Sequence, residues 1–104
     1  MFIVTNRILV NPEYKAQFEE RFTNRAREVD KMPGFVRNQV LRPANPEDPY
    51  IVLTEWQSQA DFEAWVNSDA FKKGHAQSGT LPREAFLGQS KLETFEVILD
   101  TGLE

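Results

Sequence analysis

Four short stretches of alternating apolar residues, separated by two stretches with helical spacing, limit what this 104-residue chain can fold into. Phe2 to Val10 places Phe2, Val4, Asn6, Ile8 and Val10 on one face and Ile3, Thr5, Arg7 and Leu9 on the other. Asn11 and Pro12 then supply a capping side chain and a proline at the first helical position, where its missing N–H is not needed. Tyr14, Phe18, Phe22, Ala26 and Val29 follow at helical spacing and predict a helix to about Lys31, stopped by Pro33-Gly34. Phe35 to Arg42 and Tyr50 to Trp56 read as strands, joined by a segment whose prolines at 43, 46 and 49 suit a connection. Ser58-Gln59-Ala60-Asp61 opens a short helix carrying Phe62, Trp65 and Val66, with a restart at Ser68-Asp69. Between Gly74 and Ser90 only Arg83 to Leu87 suggests a helical turn, and Lys91 to Leu99 alternates as a last strand. The order β-α-β-β-α-β predicts an α+β, ferredoxin-like fold, an antiparallel sheet with both helices on one face, as one domain over residues 1–104.

Two helices cover one face of such a sheet. Tyr50, Val52 and Trp56 lie on one face of the third strand and Ile51 and Leu53 on the other. In the fourth, Phe95, Val97 and Leu99 oppose Leu92 and Ile98. An apolar face left open predicts a homodimer packed sheet to sheet.

Composition removes several functions. Twelve Lys and Arg against sixteen Asp and Glu give a formal charge of −4, with no basic stripe for nucleic acid. The absence of cysteine excludes disulfides, thiolate nucleophiles, iron–sulfur clusters and cysteine-based zinc sites. His75 is the only histidine, so a metal held by several imidazoles is excluded as well. The apolar start Met1-Phe2-Ile3-Val4 stops at Asn6 and Arg7, short of a signal peptide or a membrane span, so a soluble, cytoplasmic protein is expected, without membrane insertion.

Asn6 interrupts an otherwise apolar strand face, either bonded to backbone at a sheet edge or aimed into a pocket as a hydrogen-bond donor. Trp65 shares its helix face with Phe62 and reads as core or as a ligand contact. His75, after Lys72-Lys73-Gly74, is either a solvated residue at a helix C-terminus or the single neutral imidazole that a five-coordinate haem iron needs. Arg21 and Arg25 lie one turn apart beside the Tyr14-Phe18-Phe22 side; their stems either cover the core edge or bring the guanidinium groups to the carboxylates of an apolar ligand. No Gly-x-Ser-x-Gly elbow, phosphate loop or dinucleotide fingerprint is present.

Val4-Thr5-Asn6, Met32-Pro33-Gly34-Phe35, Thr54-Glu55-Trp56 leading into Asp61-Phe62-Glu63-Ala64-Trp65, and Phe71-Lys72-Lys73-Gly74-His75 together resemble the haem-degrading monooxygenases of the IsdG type. That group lies within the antibiotic biosynthesis monooxygenase superfamily of dimeric α+β barrels. Met-Pro-Gly-Phe and the tryptophan-bearing helix recur across the superfamily and mark its fold, whereas Asn, Trp and His in this order mark the haem-degrading group. The resemblance implies that His75 ligates iron, that Trp65 presses on the macrocycle, and that Asn6 hydrogen-bonds on the opposite side. It implies further that Arg21 and Arg25 approach the haem propionates, that Phe22 contacts the haem, and that the 74–90 loop walls the pocket. Haem would be both cofactor and substrate, with O2 and an external electron donor or reductase as the other partners, and ring opening would release iron. Two alternatives accompany this expectation: a cofactor-free monooxygenase of quinols or aromatic polyketides on the same fold, and a haem-binding protein without turnover.

Overall fold

The strands pair in the order β2-β3-β1-β4, all antiparallel, with β1 (Phe2–Ile8) and β3 (Tyr50–Trp56) central and β2 (Phe35–Leu41) and β4 (Lys91–Glu96) at the edges. A computed structural model describes residues 1–24, 29–69, 71–72 and 81–102. The predicted α+β arrangement holds: α1 (Lys15–Asn24) and α2 (Gln59–Val66) both pack on the face that carries Phe2, Val4, Tyr50 and Trp56. No helix among the described residues is long and apolar enough to cross a membrane.

Local chemistry sets the element ends. Asn11 Oδ1 accepts the backbone N–H of Glu13 at 3.1 Å and Pro12 opens the turn, as the sequence predicts. The first turn is nonetheless a 3-10 turn, Pro12–Tyr14, closed by Tyr14 N–H donating to the Asn11 carbonyl at 2.8 Å. Among the described residues, the expected helix to Lys31 is α over Lys15–Asn24 and 3-10 over Val29–Lys31; residues 25–28, including Ala26, lie outside them. Ser58 Oγ caps α2 by accepting from Asp61 N–H at 3.2 Å, and Ser68 Oγ accepts from Phe71 N–H at 3.1 Å, restarting the chain where the sequence suggests.

β1 stops at Ile8 rather than Val10, which rejoins through a single bridge to Phe86. β4 ends at Glu96 instead of Leu99; just past its end, Val97 N–H donates to the carbonyl of Met1 at 3.0 Å. Ile98 and Leu99 beyond it are exposed. A bulge at Val36 lets Phe35 pair with Trp56 while Arg37 pairs with Glu55, so Phe35 joins the helix-covered face despite the odd spacing.

Gly34 gives the Met-Pro-Gly-Phe segment its physical reason. Its φ is +80°, and a Cβ there would stand 2.1 Å from Asp61 Oδ2. Its carbonyl accepts from Gln57 N–H at 2.8 Å, so the turn before β2 sits against the start of α2. On the uncovered face, Ile3, Ile51, Leu53 and Phe95 lie among the ion pairs Arg7–Glu93 and Arg37–Glu55, a more mixed surface than the alternation alone suggests.

Candidate functional site

The helix-covered core is in two parts. Phe2, Val4, Val29 and Trp56 form one, packed against Met32, Phe35, Phe62 and Trp65. Val10, Phe18 and Tyr50 form the other, with Ile8, Tyr14, Phe22, Val40, Leu81 and Phe86 around it.

A cavity of about 650 Å³ opens beside the second part, within the size range of small-molecule sites. Phe18, Arg21 and Phe22 of α1 form one wall, Ile8 of β1 the floor, and Leu81, Arg83, Phe86 and Gly88 to Ser90 the other wall. That second wall is part of the long loop expected from the sequence, and it is built in place. Asn11 N–H donates to the Ala85 carbonyl at 2.7 Å, Asn11 Nδ2 to the Glu84 carbonyl at 3.1 Å, and Leu87 N–H to the Leu9 carbonyl at 3.0 Å. Ala85 is fully buried beneath the 3-10 turn Arg83–Ala85, and Phe86 meets Phe18 edge-on. Burial holds the Arg21 guanidinium below its ordinary pKa, a sign that this cation is partly withdrawn from water.

Between the two core parts runs a polar seam. Asn6 lies on the helix-covered face of β1, between Val4 of one part and Ile8 of the other, paired with Val52 and Leu92. Its Oδ1 is buried without a hydrogen-bond partner. Because β1 is a central strand, the sheet-edge reading of Asn6 does not apply. Asn38, on β2 opposite Thr54, repeats the arrangement: its Oδ1 is also buried and unpartnered, on the same face. Sequence reasoning passed over Asn38, although it sits between Val36 and Val40 as Asn6 sits between Val4 and Ile8. A buried unpartnered carbonyl costs about 1 to 3 kcal/mol, so two of them on one face need an explanation.

The predicted residues are only partly gathered. Arg21 and Phe22 line the cavity; Asn6 is one pleat repeat from Ile8 on the same strand face. Trp65 does not line the cavity. It packs on the first core part and meets Phe71 edge-on, ring centroids 5.5 Å apart. His75 and Arg25 lie outside the described residues.

A clamp that the sequence did not reveal fixes the cavity's helical wall. Glu19, next to Phe18 on α1, accepts hydrogen bonds from Arg42 Nε at 2.8 Å, from Arg42 Nη2, and from the hydroxyl of fully buried Tyr50. The Arg42 guanidinium, then the Tyr50 hydroxyl, hold the Glu19 carboxyl at about 2. Burial, followed by the Glu19 carboxylate, raises the Tyr50 phenol. The clamp ties α1 to the loop after β2 and to the start of β3.

The chain's relatives bear on this arrangement. The family model for antibiotic biosynthesis monooxygenases matches residues 1–77. A heme oxygenase (mycobilin-producing) of Mycobacterium tuberculosis is 42% identical over 86 residues, 83% of this chain and 78% of the relative. A heme oxygenase (staphylobilin-producing) of Staphylococcus haemolyticus is 41% identical over 78 residues, covering 72% and 73%. Among solved structures, the heme-degrader MhuD of M. tuberculosis, with two hemes bound in its active site, superimposes with a TM-score of 0.78 at 36% identity, over 98% of this chain and all of that one. The chain therefore belongs to the antibiotic biosynthesis monooxygenase family, and within it to the group of the haem-degrading monooxygenases.

Proposed function

We propose that this protein binds haem and, with molecular oxygen and electrons from an external donor, opens the porphyrin ring and releases iron. The observation that carries the reading is the cavity: aromatic and aliphatic walls joined by two guanidinium groups suit a flat apolar molecule that bears carboxylates. The unpartnered amide of Asn6 beside it suits a site completed by a ligand.

When bound, haem supplies the redox-active iron and is itself the molecule oxidised. In a monooxygenase step one atom of O2 enters the substrate and the other leaves as water, with two electrons and two protons from outside. The chain's part is to bind, orient and exclude water. His75 would hold the iron through a single imidazole nitrogen. Asn6 would offer its amide to the bound molecule, and Trp65 of α2, packed on the neighbouring core part, would press on the macrocycle where it extends beyond the described lining of the cavity. Arg21, and with it Arg25, would meet the propionates, while Phe22 packs on the ring. Two copies joined through the uncovered sheet faces form the working unit in this proposal, since Ile3, Ile51, Leu53 and Phe95 are left without a helix over them. A cytoplasmic setting, where reduced electron donors are plentiful, completes it.

Titrating the apoprotein with haemin and then adding ascorbate or a reductase in air tests the reading. A saturable Soret shift that decays on reduction, with binding lost in His75→Ala, is expected. Absence of saturable binding overturns the proposal, and a Soret band that persists in air under reduction reduces it to haem binding alone.

A further inference from the structure

Two arginines from different elements line the cavity, Arg21 from α1 and Arg83 from the turn Arg83–Ala85. No carboxylate is among its described lining residues, although the chain as a whole carries a formal charge of −4. The backbone under Arg83 is stapled to Leu9 and Asn11 by the three hydrogen bonds described above, so this cation is presented from a fixed position. Haem carries its two carboxylates on neighbouring corners of one edge; its remaining edges are apolar. One arginine alone can take either carboxylate and leaves the ring free to turn about its normal. Two arginines held on different elements, each taking one carboxylate, remove that freedom.

Resting on the haem reading above, we propose that Arg83 is a further carboxylate anchor, supplied by a different element from the Arg21 and Arg25 side, and that the two sides together set which edge of the ring faces Asn6. Ile8 borders the cavity, and Asn6 is two residues along the same strand face, about 7 Å away. The ring edge remote from the carboxylates is thereby turned toward the Asn6 amide, and the carbon attacked there decides the product isomer. Two relatives of this chain are named for different products, mycobilin and staphylobilin, so product identity is a property that varies within the group.

The test compares haemin with its dimethyl ester, which lacks both charges, on the wild type and on Arg83→Ala and Arg83→Lys, with isomers separated by chromatography and mass spectrometry. Arg83 is exposed, so melting temperatures of the variants are expected to match the wild type. Arg83→Ala should weaken haemin binding about threefold to tenfold yet bind the ester as the wild type does, because only the charged ligand loses a partner. Its product should split into more than one ring-opened isomer, an effect that a merely structural role would not produce, and Arg83→Lys should recover most of the affinity. An Arg83→Ala protein that binds haemin with wild-type affinity and yields the wild-type isomer pattern overturns the assignment while leaving haem degradation intact. A wild type that fails to bind haemin overturns the functional reading itself, and this proposal with it.

Discussion

The two halves of the core are built from similar residues and put to different use. Around Trp56 the aromatic rings meet at close range, Phe35 at 5.6 Å and Phe62 at 6.0 Å, and the indole N–H donates to Thr54 Oγ1. Around Phe18 the rings of Tyr50 and Phe22 are as closely packed, at 4.9 and 5.1 Å, but a cavity opens beside them, and a clamp of Glu19, Arg42 and Tyr50 holds its helical wall in place. One half is filled with side chains, while the other keeps its shape through charged hydrogen bonds. Room for a ligand in so small a domain is made beside a packed core half, between α1 and the turn Arg83–Ala85, rather than inside it.

The largest loss of stability is expected from the filled half. Trp56→Ala removes a fully buried indole and is expected to cost about 3 to 5 kcal/mol in denaturant unfolding. Phe18→Ala, equally buried but beside open space, is expected at about 2 to 4 kcal/mol, with the cavity enlarged. A Phe18 variant that costs more than the Trp56 variant would erase the distinction.

Gly34→Ala comes next. A methyl group there collides with Asp61 in a left-handed backbone that alanine disfavours, for an expected loss of about 1 to 3 kcal/mol. The damage should fall on α2 rather than on the cavity, so haemin affinity of the folded fraction should change little.

Acid separates the halves differently. Because the folded-state pKa of Glu19 lies below the ordinary 4.5, the clamp contributes stability above that pH and loses it as pH falls toward about 2. Wild-type stability should therefore drop across this window, and Glu19→Gln should flatten that part of the pH profile. A Glu19→Gln protein with the wild-type profile would place the acid sensitivity elsewhere.

The smallest effect has the opposite sign. Asn6→Leu replaces a half-buried amide, whose buried oxygen has no partner, by an apolar group of similar size, and the apoprotein is expected to gain up to about 1 kcal/mol while haem turnover falls. Loss of stability in Asn6→Leu would show that the amide is satisfied in solution and that the seam belongs to the fold rather than to the site.

Much of this was legible in the sequence. β3 runs from Tyr50 to Trp56 as its alternation predicts, and the caps at Asn11 and Ser58 act where their side chains suggest. Asn6 stood out because alternation defines a face on which an amide is misplaced. Asn38 carried the same signal, but the bulge at Val36 breaks the count of faces along β2, so that Phe35 and Asn38 share a side that simple alternation assigns to different ones. The Glu19 clamp was not legible, because its members are far apart in sequence and each reads as an ordinary surface or core residue until β3 brings them together. The cavity is a volume, and residue spacing does not encode volumes. The turn at Arg83 was visible, but its attachment to Leu9 and Asn11 was not, since backbone groups make those bonds whatever the side chains.

Gly34 has a practical consequence for anyone searching genomes for this chemistry. The glycine is required because one added carbon would strike the start of a neighbouring helix, a reason that concerns assembly and is silent about oxygen or haem. Chains retrieved by Met-Pro-Gly-Phe alone will thus be a census of one architecture. Sorting them by reaction calls for asking which carry an amide at the position of Asn6 and paired cations across the gap beside it.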